Sequence, residues 1–244
     1  MTTRGGISVQ VVILAGGFGT RLSEETDKIP KPMVQIGNIP ILHHIMNFYS
    51  GFGHKDFVIA LGYKAEVIRE YFGELKTPKW NVNLVDTGLD TATGGRIKKL
   101  ENQLDDEFML TYGDGLSNVN IEYLLNHHRR FGKLATVTAV RPPARFGTIE
   151  ILNGAVTKFA EKDPQQTGWI NGGFFCLNRK VCSFISDTTT HFEGDPLNHL
   201  VAIEELTAYE HNGWWQPMDT LRDKRSLEDL WNSGSAPWLT PSFS

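Results

Sequence analysis

The string Leu14-Ala15-Gly16-Gly17-Phe18-Gly19-Thr20-Arg21-Leu22 combines backbone freedom with a fixed cation. Glycines let a backbone approach a ligand closely, and free amides can cradle phosphate oxygens. No Gly-Lys-Ser/Thr follows, so this is not a Walker loop. No third glycine follows, so it is not a dinucleotide fingerprint either. A second cation stands in Lys28-Ile29-Pro30-Lys31-Pro32, where two prolines stiffen the chain around Lys31. A glycine loop, an arginine and a rigidly held lysine together suit a polyphosphate on which charge develops. A lone Gly-x-Gly would be an ordinary turn.

Carboxylates supply the second half of that chemistry. Asp114, in Thr111-Tyr112-Gly113-Asp114-Gly115, falls at the carboxyl end of a strand pattern, where open α/β sheets bind ligands. A hard divalent cation on a phosphate needs one or two carboxylates and keeps several waters. Asp114 fits as one ligand, and Asp219 in Gln216-Pro217-Met218-Asp219-Thr220 as the other. Asp219 or Thr220 fits equally well as the N-cap of a final helix. Glu161 and Lys162, with Asn171 and Gly172 in Trp169-Ile170-Asn171-Gly172-Gly173-Phe174-Phe175, suit sugar hydroxyls and a monophosphate. Thr93 and Gly94, in Thr91-Ala92-Thr93-Gly94-Gly95-Arg96, offer amides to a base edge or form a simple turn before a helix. The pairs His43-His44 and His127-His128 lie in helical patterns, where neighbours point about 100° apart and do not make a metal pair. Trp80, Trp214 and Trp215 are expected in the core.

Strands and helices must position these groups. Residues 9–14 form a β-branched run that ends in glycine, as does a buried strand feeding a turn. Helix-period apolar spacing covers 40–49, 65–72, 95–104 and 121–131, and strand patterns cover 56–61, 81–85, 107–112 and 135–140. The alternation predicts a Rossmann-like α/β/α sandwich with a mostly parallel, mixed sheet. After 140 the rhythm changes to strands at 146–151, 155–159 and 169–177, then a last helix at 221–231. One domain over 1–244 is expected, with a nucleotide-binding half (about 9–140) and a sugar-phosphate-binding half (about 141–238) sharing one sheet.

Composition narrows the function. The 244 residues carry 24 basic and 28 acidic side chains, a formal charge of −4. That balance argues against nonspecific nucleic-acid binding. No apolar run approaches the ~20 residues that span a bilayer, and 1–10 lacks a signal-peptide core. Cys176 and Cys182 form neither a disulfide framework nor a Cys-x-x-Cys motif, so a reducing, cytoplasmic setting is expected.

The opening Gly16-Gly17-Phe18-Gly19-Thr20-Arg21-Leu22 with Pro30-Lys31-Pro32 resembles the signature of sugar-1-phosphate nucleotidylyltransferases, and the likeness runs from about Val9 to Trp238. More narrowly, the sequence resembles the glucose-1-phosphate cytidylyltransferases. Leu22-Ser23-Glu24-Glu25-Thr26, Leu84-Val85-Asp86-Thr87-Gly88, the 170–175 string and 215–224 carry the narrower likeness. The resemblance implies CTP plus α-D-glucose 1-phosphate giving CDP-glucose and pyrophosphate, for nucleotide-sugar and polysaccharide synthesis. It implies that Leu14, Ala15, Gly16, Gly17, Gly19, Thr20, Thr93, Gly94 and Asp114 line the nucleotide, with Arg21 at the triphosphate and Lys31 at the reacting phosphates. It places Mg²⁺ on Asp114 and Asp219. It sets Gly147, Glu161, Lys162, Asn171 and Gly172 at the sugar phosphate, in a homo-oligomer. Two departures stand out: Asp163 precedes Pro164 where the family usually has Pro directly, and 72–80 is shorter than in the cytidylyltransferases. The same chemistry on UTP, dTTP, GTP or another sugar 1-phosphate is the nearest alternative. A noncatalytic sugar-nucleotide-binding regulator on the same fold is another, and a nicotinamide dehydrogenase is disfavoured by the missing glycine.

Overall fold

A computed structural model describes residues 8–75, 79–142, 148–160 and 168–239, without the side chains of Arg21, Ser23, Glu24, 148–151 and 158–160. In chain order the first half runs β1 (Gln10–Leu14), α1 (Ser23–Thr26), β2 (Gln35–Ile36), β3 (Ile39–Pro40), α2 (Ile41–Gly51), β4 (Asp56–Leu61) and α3 (Ala65–Glu74). It continues with β5 (Asn81–Asp86), α4 (Thr93–Leu100), β6 (Glu107–Tyr112), β7 (Gly115–Ser117), α5 (Ile121–Phe131) and β8 (Ala135–Val140). The second half adds β9 (Thr148–Leu152), β10 (Ala155–Ala160), β11 (Ile170–Asn171), β12 (Phe175–Asn178), α6 (Asp195–Ala202), β13 (Leu206–His211), β14 (Trp215–Pro217) and α7 (Leu221–Asn232).

The main sheet joins β5, β4, β1 and β6 in parallel, then β12 antiparallel to β6. β8 pairs with β12 and β11 antiparallel on one side and with β13 parallel on the other. Strand periodicity divides the core into two layers. Val11 and Ile13 of β1, Phe57, Ile59 and Leu61 of β4, and Met109 of β6 face the layer packed by α2 and α5. Val12, Leu14, Val58, Ala60, Phe108 and Leu110 face the opposite layer, with Ile97 and Leu100 of α4. Both faces are covered, which is why these strands read as unbroken apolar runs.

Several elements differ from the sequence expectation, the short α1, β2, β3, β7 and β14 among them. Residues 169–177 do not form one strand: β11 and β12 are interrupted at Gly172-Gly173-Phe174, where Gly173 and Phe174 take φ of 75° and 46°. Thr138 clamps this bulge, accepting from Gly172 N at 2.9 Å and donating its hydroxyl to Phe174 O at 2.8 Å. The α6 helix and the edge strand β13 were not expected. The β9–β10 hairpin pairs with itself, in a two-stranded sheet of its own. Both cysteines are free and buried. Among the described residues, no helix is long and apolar enough to cross a membrane.

Candidate active site

The carboxyl ends of β1 and β6 open into a cleft of about 620 Å³. Its wall holds Leu14, Ala15, Gly16, Gly17, Gly19 and Thr20 from the first turn, Lys31 and Thr93. Asp114, Asn171, Gly172 and Asp219 complete the expected set. Residues up to 205 positions apart in sequence thus converge (Leu14 to Asp219). Gly147, Glu161 and Lys162 lie outside the described residues, as does the side chain of Arg21, whose backbone sits in the turn Thr20–Leu22.

Lys31 begins a short 3-10 turn entered through Pro30, and its side chain is 8% exposed. Its Nζ donates to Asp114 Oδ2 and Asp219 Oδ1, each at 2.7 Å. Burial alone would lower its pKa, but the charges and hydrogen bonds of Asp114 and Asp219 outweigh this and raise it above 10.5. Asp114 arrives on the turn after β6. Asp219 is placed by the start of α7, where Thr220 is the N-cap and Asp223 closes a capping box. Asp223 Oδ2 accepts from Asp219 N at 3.1 Å and from Thr220 N at 2.9 Å. Asp219 therefore stands beside the N-cap instead of serving as it.

The glycine loop rests on Arg96, a buried guanidinium of α4. Arg96 Nη2 donates to Gly16 O at 2.8 Å, and Nη1 to Leu61 O at 3.0 Å, Thr87 Oγ1 at 2.6 Å and Gly88 O at 2.8 Å. It ties the ends of β1 and β4 to the turn after β5. Burial lowers its pKa, and Asp86 partly offsets that. The start of α4 is covered by the chain itself: Ala92 N donates to Thr188 O and Gly95 N to Thr190 O. Gly94 lies against that backbone, with room for no Cβ, since Thr190 O would be 2.6 Å away. Gly94 is off the cleft wall, and only Thr93 and Arg96 of this string reach the cleft beside Thr91 and Ala92.

Further residues enter the cleft that the sequence did not single out. Trp215 Nε1 donates to Gly172 O at 2.8 Å, so this tryptophan packs on the core and also fixes the bulge at the cleft wall. Tyr112, His191 and Glu193 also line the cleft. The histidine pairs serve the scaffold: His44 contacts Ile36 O and accepts from Trp238 Nε1, and His128 bonds Thr136.

Among the described residues, no group of three or more His, Cys, Asp or Glu is placed to hold a metal. Asp114 and Asp219 nevertheless present hard oxygen donors to one point, now shared with Lys31. Two carboxylates suit a divalent cation that takes its remaining ligands from phosphate and water.

A glycine turn at the switch point of a mostly parallel sheet, facing a lysine and two aspartates, defines a nucleotide-dependent phosphoryl-chemistry enzyme. The chain belongs to the nucleotidyl transferase family, which it matches over residues 10–223. It is 48% identical to the glucose-1-phosphate cytidylyltransferase of Salmonella typhimurium, over 95% of this chain and 99% of that protein. It is 32% identical to the D-glycero-α-D-manno-heptose 1-phosphate guanylyltransferase of Aneurinibacillus thermoaerophilus, over 77% of this chain and 83% of that one. The crystal structure of HddC from Yersinia pseudotuberculosis superposes with a TM-score of 0.74 at 25% identity, over 91% of this chain and 99% of that one.

Proposed function

We propose that this chain transfers a cytidylyl group from CTP to α-D-glucose 1-phosphate, giving CDP-glucose and pyrophosphate. The 48% identity to a glucose-1-phosphate cytidylyltransferase over 95% of the chain carries the choice of substrates. The geometry supports the chemistry. A sugar phosphate monoester is an anionic nucleophile at neutral pH and needs no strong general base. In-line attack of its oxygen on the α-phosphorus expels pyrophosphate without a covalent enzyme intermediate.

Catalysis is then positioning and charge neutralisation. The glycine loop, held by Arg96, aligns the nucleotide. Arg21 neutralises the triphosphate. Lys31 stays cationic and faces the transferring phosphoryl group, with Asp114 and Asp219 fixing its Nζ until substrate arrives. Asn171 and Gly172 shape the sugar end, with Gly147, Glu161 and Lys162. Mg²⁺, held by Asp114 and Asp219, supplies Lewis-acid charge to the phosphates when bound. The reading includes a cytoplasmic location and a homo-oligomer; light scattering on the purified protein checks the oligomer. Mass spectrometry of the reaction of CTP with glucose 1-phosphate tests the activity: CDP-glucose is the expected product, and its absence at full enzyme would refute this assignment.

A further inference from the structure

Glu193 has no role in the chemistry above, yet it is held in the cleft from two sides. Thr93 Oγ1 donates to Glu193 Oε2 at 2.6 Å, and Tyr112 OH donates to Oε1 at 2.5 Å. These donors come from α4 and β6. The preceding residue, Phe192, is fully buried and packs edge-on against Phe175 at 5.6 Å between ring centroids. Phe192 N also donates to Thr93 Oγ1 at 2.9 Å. A residue on an irregular segment is thus fixed as firmly as one on a strand, and its carboxylate remains on the open cleft wall.

A carboxylate oxygen has two acceptor sites, and each oxygen of Glu193 has one of these donors. The network continues to the sugar end: Asn171 Nδ2 donates to Tyr112 OH at 3.3 Å. Burial and the Glu193 charge raise the Tyr112 pKa, so it stays a phenol that donates to Glu193 while accepting from Asn171. An anion here repels phosphate and is suited to hydroxyls.

We infer that Glu193 accepts hydrogen bonds from the ring hydroxyls of a bound sugar and sets the hydroxyl specificity of the site, with Tyr112 as its positioning residue. This deepens the transferase reading and rests on it. The hydroxyls belong either to the sugar 1-phosphate or to the ribose of the nucleotide.

The test compares wild type, Glu193→Gln and Tyr112→Phe by calorimetry and by pyrophosphate release. The probes are CTP, 2′-deoxy-CTP, glucose 1-phosphate and its monodeoxy analogues. Loss of a hydrogen bond to a charged group predicts about tenfold weaker handling of the parent ligand by Glu193→Gln. For the analogue lacking the contacted hydroxyl, wild type and Glu193→Gln should be equal. Equality with a deoxyhexose assigns Glu193 to the sugar phosphate, and equality with 2′-deoxy-CTP assigns it to ribose. Tyr112→Phe should give the same pattern, weaker. If Glu193→Gln changes every ligand by one common factor, or changes none, the inference is overturned. Binding without pyrophosphate release by wild type would refute the transferase reading, while the calorimetric comparison would still decide the role of Glu193.

Discussion

Lys31 and Asp219 are 188 positions apart in the chain, and their side chains meet at 2.7 Å. That contact links the first proline-stiffened loop to the entry of the last helix. With Asp114 it places one cation between two carboxylates on the floor of the cleft.

Replacing Lys31 by alanine leaves that floor without its cation. A fall of about 10²-fold in kcat is expected, ~3 kcal/mol of transition-state stabilisation. Steady-state rates of pyrophosphate release measure it, and near-normal turnover would remove Lys31 from the reaction. The lysine's raised pKa gives a second expectation. Its contribution to stability is complete below 10.5 and is lost only as pH rises through the folded value. Denaturant titrations between pH 7 and 10 should therefore show no loss that Lys31→Ala abolishes.

Gly16 and Gly17 should respond differently to alanine. A Cβ on Gly16 would lie 2.2 Å from Arg96 Nη1, while one on Gly17 meets nothing within 4 Å. Arg96 cannot swing aside without abandoning five acceptors, Leu89 O at 3.2 Å among them. Gly16→Ala should cost about 2 kcal/mol of stability by overpacking. Gly17→Ala should stay within ~0.5 kcal/mol of wild type, and a higher KM for the nucleotide would show that ligand approaches this backbone. Equal melting temperatures for the two variants would count against the Arg96 support.

Asp223 touches no proposed substrate, but it holds Asp219 through the capping box. Asp223→Ala should lower stability by about 1 kcal/mol, the worth of a cap. Turnover should fall by a larger factor than in a variant that weakens α7 elsewhere, such as Leu230→Ala. A proportional loss in both would make Asp223 structural only.

His54 predicts acid sensitivity. It is buried, accepts from Val9 N at 3.0 Å, and its pKa is lowered to about 4 by burial and then by the charge of Arg129. The unfolded chain binds this proton near 6.5 and the folded chain only near 4. Stability should therefore fall as pH drops between those values. His54→Gln should flatten that part of the profile in chemical denaturation, and an unchanged slope would disprove the assignment.

Most of the scaffold was legible because its strands and helices carry clean periods. The expected bounds of β4, β6, α5 and β8 match the structure residue for residue. The strand at 169–177 misled because the apolar pattern runs through Gly172-Gly173-Phe174, whereas left-handed backbone there breaks the pairing. The α6 and β13 elements were missed because α6 buries only Pro196 and Leu200 along its eight residues and β13 has no fully buried position, so neither carries a clear apolar period. Within the cleft, Lys31, Asp114 and Asp219 were visible from their proline and glycine neighbours. Glu193 was not, since Thr190-His191-Phe192-Glu193-Gly194 carries no periodicity or motif, and only its tertiary partners give it meaning.

The most direct measurement is pyrophosphate release by the purified chain with Mg²⁺ and glucose 1-phosphate, run in parallel with CTP, UTP, dTTP, ATP and GTP. The account predicts release with CTP well above that with the other four nucleotides. A preference for another nucleotide, or no release with any of them, would contradict it.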